Sequence, residues 1–364
     1  MDLLREIRHN PLFWLLALVP ALFVVELFKP DAHTLLFVLS VLAIVPLAAL
    51  LSRATESVAA RTGDTIGGLL NATLGNLTEL LIALAALRAG QYVLVKATIA
   101  GAIVANSLFM LGASFLIGGL KHHVQTYNRN NARLQAGMLF LATIALLIPS
   151  ILAETDPSPA MAVFAEVLSL GLAVLLIVTY GLGLVFSLKT HREFFGGADH
   201  AESGEASWPM SLALATLGGA TVLVALVSEV FVESLQQAAV ALGMTTAFVG
   251  FVIVALVGGA AEMLSAFSGA RKDRLDLSVA IALGSASQIA LFVAPVLVVL
   301  SYVIGPTPMN LQFWPAAVAM ILIATVTAFL ATNSGRSAWF LGVLLIVVYL
   351  TFAMTLFLLP PKIP

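Results

Sequence analysis

The sequence predicts an all-α integral membrane protein of about eleven transmembrane helices, a first helix followed by two inverted five-helix repeats. Three observations predict it. Of 364 residues, 60 % are hydrophobic and 10 % charged, with a mean hydropathy of +1.05. Apolar runs of about 20 residues recur along the whole length, each enough to cross about 30 Å of hydrocarbon as a helix. One stretch also occurs twice. Adding 183 carries 67–109 onto 250–292 without a gap, turning Gly67 into Gly250, Gly75 into Gly258, Arg88 into Arg271, Gly101 into Gly284 and Leu108-Phe109 into Leu291-Phe292. Ala72/Ala255, Leu81/Leu264, Ala83/Ala266, Leu94/Leu277 and Ala97/Ala280 fall in the same register.

The spans are read at 11–29, 33–52, 65–87, 92–119, 133–152, 160–187, 209–235, 244–268, 277–304, 312–331 and 338–359. The first lacks a small-residue cleavage site and is followed at once by more spans, so it is kept as a helix rather than a signal peptide. The basic residues orient them. With the N-terminus inside, Arg5, Arg8, Arg53, Arg61, Lys121, Arg129, Arg133, Lys189, Arg192, Arg271, Lys272, Arg274 and Arg336 are cytoplasmic. Only Lys29, Arg88, Lys96 and Lys362 are then outside. This asymmetry predicts a cytoplasmic N-terminus and an outside C-terminus. The loop at Arg88 then falls outside and its partner at Arg271 inside. The copies cross in opposite senses, which requires an odd number of spans per repeat, and five fits.

The chain therefore divides into 1–32 (N-terminus and first helix), 33–187 (first repeat), a cytoplasmic linker at 188–208, and 209–364 (second repeat). The linker carries His191, Asp199, His200, Glu202 and Glu205, whose spacing suits a solvated connector better than a metal patch. Zero cysteines exclude disulfides and thiolate metal sites. A net charge of −2 gives no support for nucleic-acid binding.

Each repeat carries one glutamate inside an apolar helix, Glu79 and Glu262, at matched positions. An ionised carboxylate in a membrane core costs at least ~2.5–3.5 kcal/mol on insertion scales and usually marks a functional or paired group. Gly75, Gly258 and Gly259 lie about one turn earlier, where a helix can break and turn carbonyls toward an ion. Asn76, three residues before Glu79, is expected on the same helix face. In the next helix of each copy stand Asn106 and, after Gly284, Ser285 and Gln288. Two carboxylates in an oxygen-rich cage suit a hard divalent cation such as Ca²⁺. Zinc, copper or iron would recruit Cys or His, and the six histidines all lie at span ends or in loops. With Ca²⁺ bound, two ionised glutamates balance its charge. Without it, two buried negative charges are unfavourable, and protons take the place of the metal. Glu56 and Glu233, near helix ends, are candidates for an entry path.

At these residues the chain resembles the calcium/proton exchangers (CAX type) of the calcium/cation antiporter superfamily. The resemblance rests on Gly67-Gly68-Leu69-Leu70-Asn71-Ala72-Thr73-Leu74-Gly75-Asn76 running on to Glu79, on Gly258–Glu262, on Lys272–Leu277 and on Gly284-Ser285 through Gln288–Phe292. It implies eleven helices with 2–6 and 7–11 as the halves, Glu79 and Glu262 as shared Ca²⁺/H⁺ ligands, and alternating access. The chain departs from the family pattern at Gly259, where Asn is usual, and at Ala286, where Ser is usual, so its second half-site holds fewer side-chain oxygens. Ser334 and Leu341 also replace acidic residues common in the family.

A sodium-coupled exchanger of the same superfamily is the nearest rival reading. Those proteins place proline before each acidic residue, whereas Thr78 and Ala261 stand here. A passive cation channel is the third. No protease-like motif supports an intramembrane enzyme. No cofactor is expected; Ca²⁺ and H⁺ are the expected substrates, the lipid bilayer is the surrounding partner, and a homo-oligomer is compatible with the sequence. The short cysteine-free chain suggests a bacterial inner membrane.

Overall fold

Every stretch read as a span forms helix. The computed structural model describes residues 10–155, 159–191 and 208–359. Helix α1 (Pro11–Phe28) precedes α2 (His33–Thr62), the bent pair α3 (Asp64–Leu74) and α4 (Leu77–Arg88), α5 (Tyr92–His122), α6 (Arg129–Thr155) and α7 (Pro159–Val185). The same order follows in α8 (Met210–Ala241), the bent pair α9 (Thr246–Gly258) and α10 (Ala260–Arg271), α11 (Leu275–Ile304), α12 (Pro315–Thr332) and α13 (Trp339–Leu358). Counting each bent pair as one crossing gives eleven spans among the described residues. Residues 192–207, most of the linker with Asp199, His200, Glu202 and Glu205, lie outside the described residues.

Helix ends follow local chemistry. At the end of α4, Gly90 takes φ +69° and Gln91 N–H donates to Ala86 O; at the end of α8, Gly243 takes φ +68° and Met244 N–H donates to Ala239 O. This is the left-handed glycine stop that satisfies the last carbonyls of a helix. At the start of α9 the Thr245 hydroxyl accepts the Phe248 N–H at 3.1 Å.

Helix α5 measures the molecule. Its 31 residues rise about 46 Å, a full crossing. Beside its first turn, the Tyr92 hydroxyl accepts from Thr307 N–H (2.9 Å) and Lys96 donates to Asn310 (2.6 Å). Beside its last turn, Lys121 donates to Arg271 O (2.9 Å). Arg88 therefore lies at one end of the molecule and its repeat counterpart Arg271 at the other, so the repeats are inverted. Near the pseudo-twofold axis the equivalent helices α6 and α12 meet at Thr143 and Thr325, whose hydroxyls are 3.0 Å apart.

Helix α5 is the most enclosed of the unbroken spans, an 18-residue apolar stretch of it being 89 % buried, against 22 % for those of α7 and α8. The outer helices expose Val167, Leu182, Val222, Val347 and Met354, a surface that water would penalise and lipid accepts. Outward hydroxyls turn back onto their own helix, Thr179 to Leu175 O and Thr351 to Val347 O at 2.8 Å each, as a bilayer requires.

Two features differ from the sequence reading. Helices α2 and α8 run on to Thr62 and Ala241, beyond the expected ends at 52 and 235: polar side chains continue α2 past its apolar stretch, and in α8 Gln236-Gln237 interrupts the apolar run without ending the helix. Glu56 therefore sits inside α2 rather than beyond it. The chain is also not purely helical. Strands β1 (Val124–Thr126) and β2 (Arg336–Ala338) form an antiparallel ribbon, Val124 opposite Ala338 and Thr126 opposite Arg336, joining the α5–α6 loop to the α12–α13 loop. Three-residue strands leave no readable alternation.

Candidate functional site

The two bent spans break where the glycines predicted. Helix α3 meets α4 at 42° and α9 meets α10 at 58°. The hinge residues Asn76 (φ −99°, ψ 27°) and Gly259 (φ −81°, ψ 5°) leave the helical path. Glu79 is thereby the third residue of α4 and Glu262 the third of α10. First-turn N–H groups lack helical partners, and the positive end of the helix dipole favours an anion there.

The glutamates cross over between repeats. A Cβ added at Gly258 would lie 3.0 Å from Glu79 Cγ and 3.6 Å from its Oε1. A Cβ at Gly75 would lie 3.8 Å from Glu262 Oε1 and equally far from Gln288 Oε1. Each carboxylate thus lies beside the glycine of the other copy; a side chain at Gly258 would press on Glu79, and one at Gly75 would meet the Asn71 carbonyl at 2.7 Å.

A hydrogen-bonded chain stitches the repeats beside them. Asn106 Nδ2 donates to Ser285 Oγ (2.8 Å), Ser285 Oγ donates to Asn76 Oδ1 (2.8 Å), and Asn76 Nδ2 donates to Gln288 Oε1 (2.7 Å). The order alternates first repeat, second, first, second. Asn76 was expected to share a helix face with Glu79. Because the helix breaks at Asn76, its side chain leaves that axis and reaches α11 instead. Two oxygens in the group, Asn106 Oδ1 and Glu262 Oε2, are buried without a hydrogen-bond partner. Such groups are costly unless something fills the seat. Glu79 is 3 % exposed, Asn106 1 %; Glu262 and Gln288 are half-buried.

All eight residues singled out as ligands converge: Glu79, Glu262, Gly75, Asn76, Gly258, Asn106, Ser285 and Gln288. The pair proposed as an entry path does not join them. Glu56 is exposed on α2 and accepts from Ser52 one turn earlier (3.4 Å), and Glu233 is exposed on α8. Glu229 pairs with Arg88 at 2.8 Å, and His122 Nε2 lies 3.1 Å from Arg271 O. No group of three or more His, Cys, Asp or Glu able to hold a metal ion occurs among the described residues; the group gathered here contains two carboxylates.

Sequence reasoning missed three parts of the site. The helix widens to a π turn at Ala105–Met110 in α5 and again at Ile289–Val293 in α11, equivalent places in the two copies, the first containing Asn106 and the second starting directly after Gln288. Tyr180 of α7 donates to Ala72 O at 2.7 Å and stacks on Phe292, ring centres 5.2 Å apart. It lies outside the stretch that repeats at an offset of 183, and its sequence signal is a match with the last helix at a different offset. The third is an asymmetry. At Gly101 an added Cβ would collide with the Phe251 backbone, and at Gly250 it would come 2.7 Å from Ala97 Cβ, so α5 and α9 are in close backbone contact. The equivalent glycines behave otherwise: Gly284 faces only the Gln135 side chain, at 3.5 Å, and Gly67 faces Ala59 of α2. The α9 side of the site is sealed, whereas α3 leans toward α2 and, through Gly68 and Leu188, the end of the α7 span.

A family model described as sodium/calcium exchanger protein matches residues 32–189 and 212–358. Among curated relatives, a Ca(2+)/H(+) antiporter of Aphanothece halophytica is 38 % identical over 345 residues, covering 89 % of this chain and 90 % of its own. The Ca(2+)/H(+) antiporter ChaA of Bacillus subtilis is 40 % identical over 330 residues, covering 89 % and 92 %. The solved structure of native YfkE superposes with a TM-score of 0.82 at 35 % identity, covering 96 % of this chain and all of the other.

Proposed function

This chain belongs to the sodium/calcium exchanger protein family, and on that premise we propose that it exchanges Ca²⁺ for H⁺ by alternating access, with Glu79 and Glu262 binding metal and protons in turn. The observation that carries the assignment of residues is the crossing of the two carboxylates, each set against the other repeat's glycine. Ca²⁺ takes six to eight oxygens. The two carboxylates, Asn106 Oδ1, the side-chain oxygens of Asn76, Ser285 and Gln288, and carbonyls freed around Gly75 and Gly258 are the donors within this group, with water completing the shell. Asn106 Oδ1 and Glu262 Oε2 stand without partners and are ready to ligate.

Coupling follows from charge. Two ionised carboxylates in a low-dielectric site repel each other and lose hydration. One Ca²⁺, or protons, relieves this, and the loaded states are near neutral. The empty charged state is the one least able to change conformation, so ions do not leak past protons. Sodium coupling is the disfavoured alternative, with Thr78 and Ala261 before the glutamates and Ca(2+)/H(+) antiporters as relatives. The work is binding and release; no covalent step and no cofactor enter. The bacterial relatives and the basic residues gathered at the Arg271 end support an inner membrane with the N-terminus cytoplasmic. The five-helix units 33–187 and 209–364 form the two halves.

The test is ⁴⁵Ca uptake into proteoliposomes with an imposed pH gradient, for the unaltered protein and for Glu79→Gln and Glu262→Gln. Proton-driven uptake is expected in the first and a loss of at least about 100-fold in each variant, since each removes a charged ligand worth several kcal/mol. Uptake that ignores the pH gradient, or survives both substitutions, would sink the mechanism.

A further inference from the structure

We propose that Tyr349 is a positioning residue for exchange: when the α9 side opens, its hydroxyl donates to the Ala255 carbonyl, as Tyr180 donates to Ala72 here. The inference rests on the alternating-access reading above. Four observations carry it.

The last helix of each repeat contains the same word outside the 183-residue register. Val174-Leu175-Leu176-Ile177-Val178-Thr179-Tyr180 matches Val343-Leu344-Leu345-Ile346-Val347-Val348-Tyr349 in six of seven positions, at an offset of 169. The two tyrosines make reciprocal ring contacts. Tyr180 of the first repeat stacks on Phe292 of the second, and Tyr349 of the second packs on Phe109 of the first, at 5.2 and 5.3 Å. Phe109 and Phe292 are themselves repeat partners.

The hydroxyls differ. Ala72 stands four residues before hinge Asn76, and its carbonyl takes the Tyr180 hydroxyl. A helix broken in lipid must find a donor for such a freed carbonyl. The equivalent Ala255 carbonyl still accepts from Gly259 N–H, at 3.2 Å, inside the sealed half. Correspondingly, the Tyr349 hydroxyl is buried with no partner, in a residue 2 % exposed. An orphaned hydroxyl in one copy and a bonded one in the other is what two exchangeable states leave behind.

The reach is right. Helices α9 and α13 run antiparallel, with Phe248 edge-on to Phe357 at 5.3 Å. Ala255 lies seven residues along from Phe248 and Tyr349 eight residues back from Phe357, so the two are level to about one helical rise of 1.5 Å. Bringing the pair together therefore needs an approach of the two helices but no change of register.

The chain has no cysteine, so single-cysteine probes are clean. Asn71→Cys on α3, where Asn71 is exposed, and Val254→Cys on α9, where its counterpart is buried, report the two sides through a membrane-impermeant maleimide applied from either face of the proteoliposome. Tyr349→Phe keeps the ring and removes the hydroxyl. It is expected to raise labelling at position 71, lower it at 254, and cut turnover about tenfold with little change in KM for Ca²⁺. Tyr180→Phe is expected to shift the labels the opposite way. Thermal stability of Tyr349→Phe should equal or exceed that of the unaltered protein, which separates positioning from folding. Unchanged labelling and turnover in Tyr349→Phe, or the same direction of shift in both variants, overturns the proposal. The labels are read whether or not uptake proves proton-driven, so this inference and the exchange reading fail separately.

Discussion

At one crossing Gly101 and Gly250 let α5 and α9 touch backbone to backbone, while at the equivalent crossing Gly284 faces a glutamine side chain and Gly67 faces α2. The glycines are shared between the two places, but their neighbours are not: Phe251 meets Gly101 where the first copy has Gly68, and Gln135 faces Gly284. A chain built from two like halves must break its symmetry to leave a central site reachable from one side only, and the glycines that seal the α9 side are repeated where the other seal would form. A second contrast is written in the residues. The first half-site offers Asn76 at its hinge, the second only Gly259, so the hydrogen-bonded chain must borrow Ser285 and Gln288 from further along the second copy.

The largest expected effect breaks the sealed crossing. Gly101→Val places a side chain in the Phe251 backbone and should cost about 1–3 kcal/mol with transport lost, whereas Gly284→Ala should change stability by less than about 0.5 kcal/mol in the same thermal-unfolding series in detergent. Equal losses in both would show that the crossings do not differ as described. Next, Asn76→Ala leaves Ser285 and Gln288 without their partner and should raise the KM for Ca²⁺ about tenfold in uptake kinetics; an unchanged KM would remove Asn76 from the site. Gly259→Asn sharpens the contrast from the other side. A Cβ there meets Ala255 O at 3.3 Å and Asn106 Oδ1 at 3.6 Å, tight but admissible at φ −81°. The added carbonyl should lower KM several-fold, and a higher KM would mean the hinge cannot hold it. The smallest effect concerns the rim. Arg88 and Glu229 are 71 % and 47 % exposed, so a double-mutant cycle on Arg88→Ala and Glu229→Ala should find under about 1 kcal/mol. A larger coupling would make that pair part of the seal.

Much of this was legible in the sequence because it rests on expensive features. Two carboxylates in apolar helices, and glycines one turn before them, are rare enough to be read singly and decisive when repeated at one offset. The inversion and the two candidate carboxylates with their glycines follow from that; Asn106, Ser285 and Gln288 were read separately, from the next helix of each copy. What was not legible depends on geometry at small scale. The break at Asn76, which sends its side chain across to α11, depends on backbone angles at one hinge. The π turns carry no composition signal. The length of α2 past residue 52, which puts Glu56 inside a helix, reflects polar side chains that pattern alone assigns to a loop. Tyr180 was not singled out, because the carbonyl it answers becomes free only once α3 has broken. Its match with Tyr349 lies in a different register, so it stayed outside the 183-residue alignment.

The short ribbon of β1 with β2 limits the choreography available to the molecule. It laces a loop of the first five-helix unit to a loop of the second at the Arg271 end, through three pairs from Val124–Ala338 to Thr126–Arg336. Swinging one whole unit against the other, like two halves of a clamshell, would tear that seam at every turnover. The seam holds α5, α6, α12 and α13 as a chassis common to both units. The working stroke then belongs to the parts mounted on it, above all the bent spans, and each cycle moves a few hinged segments instead of half a protein.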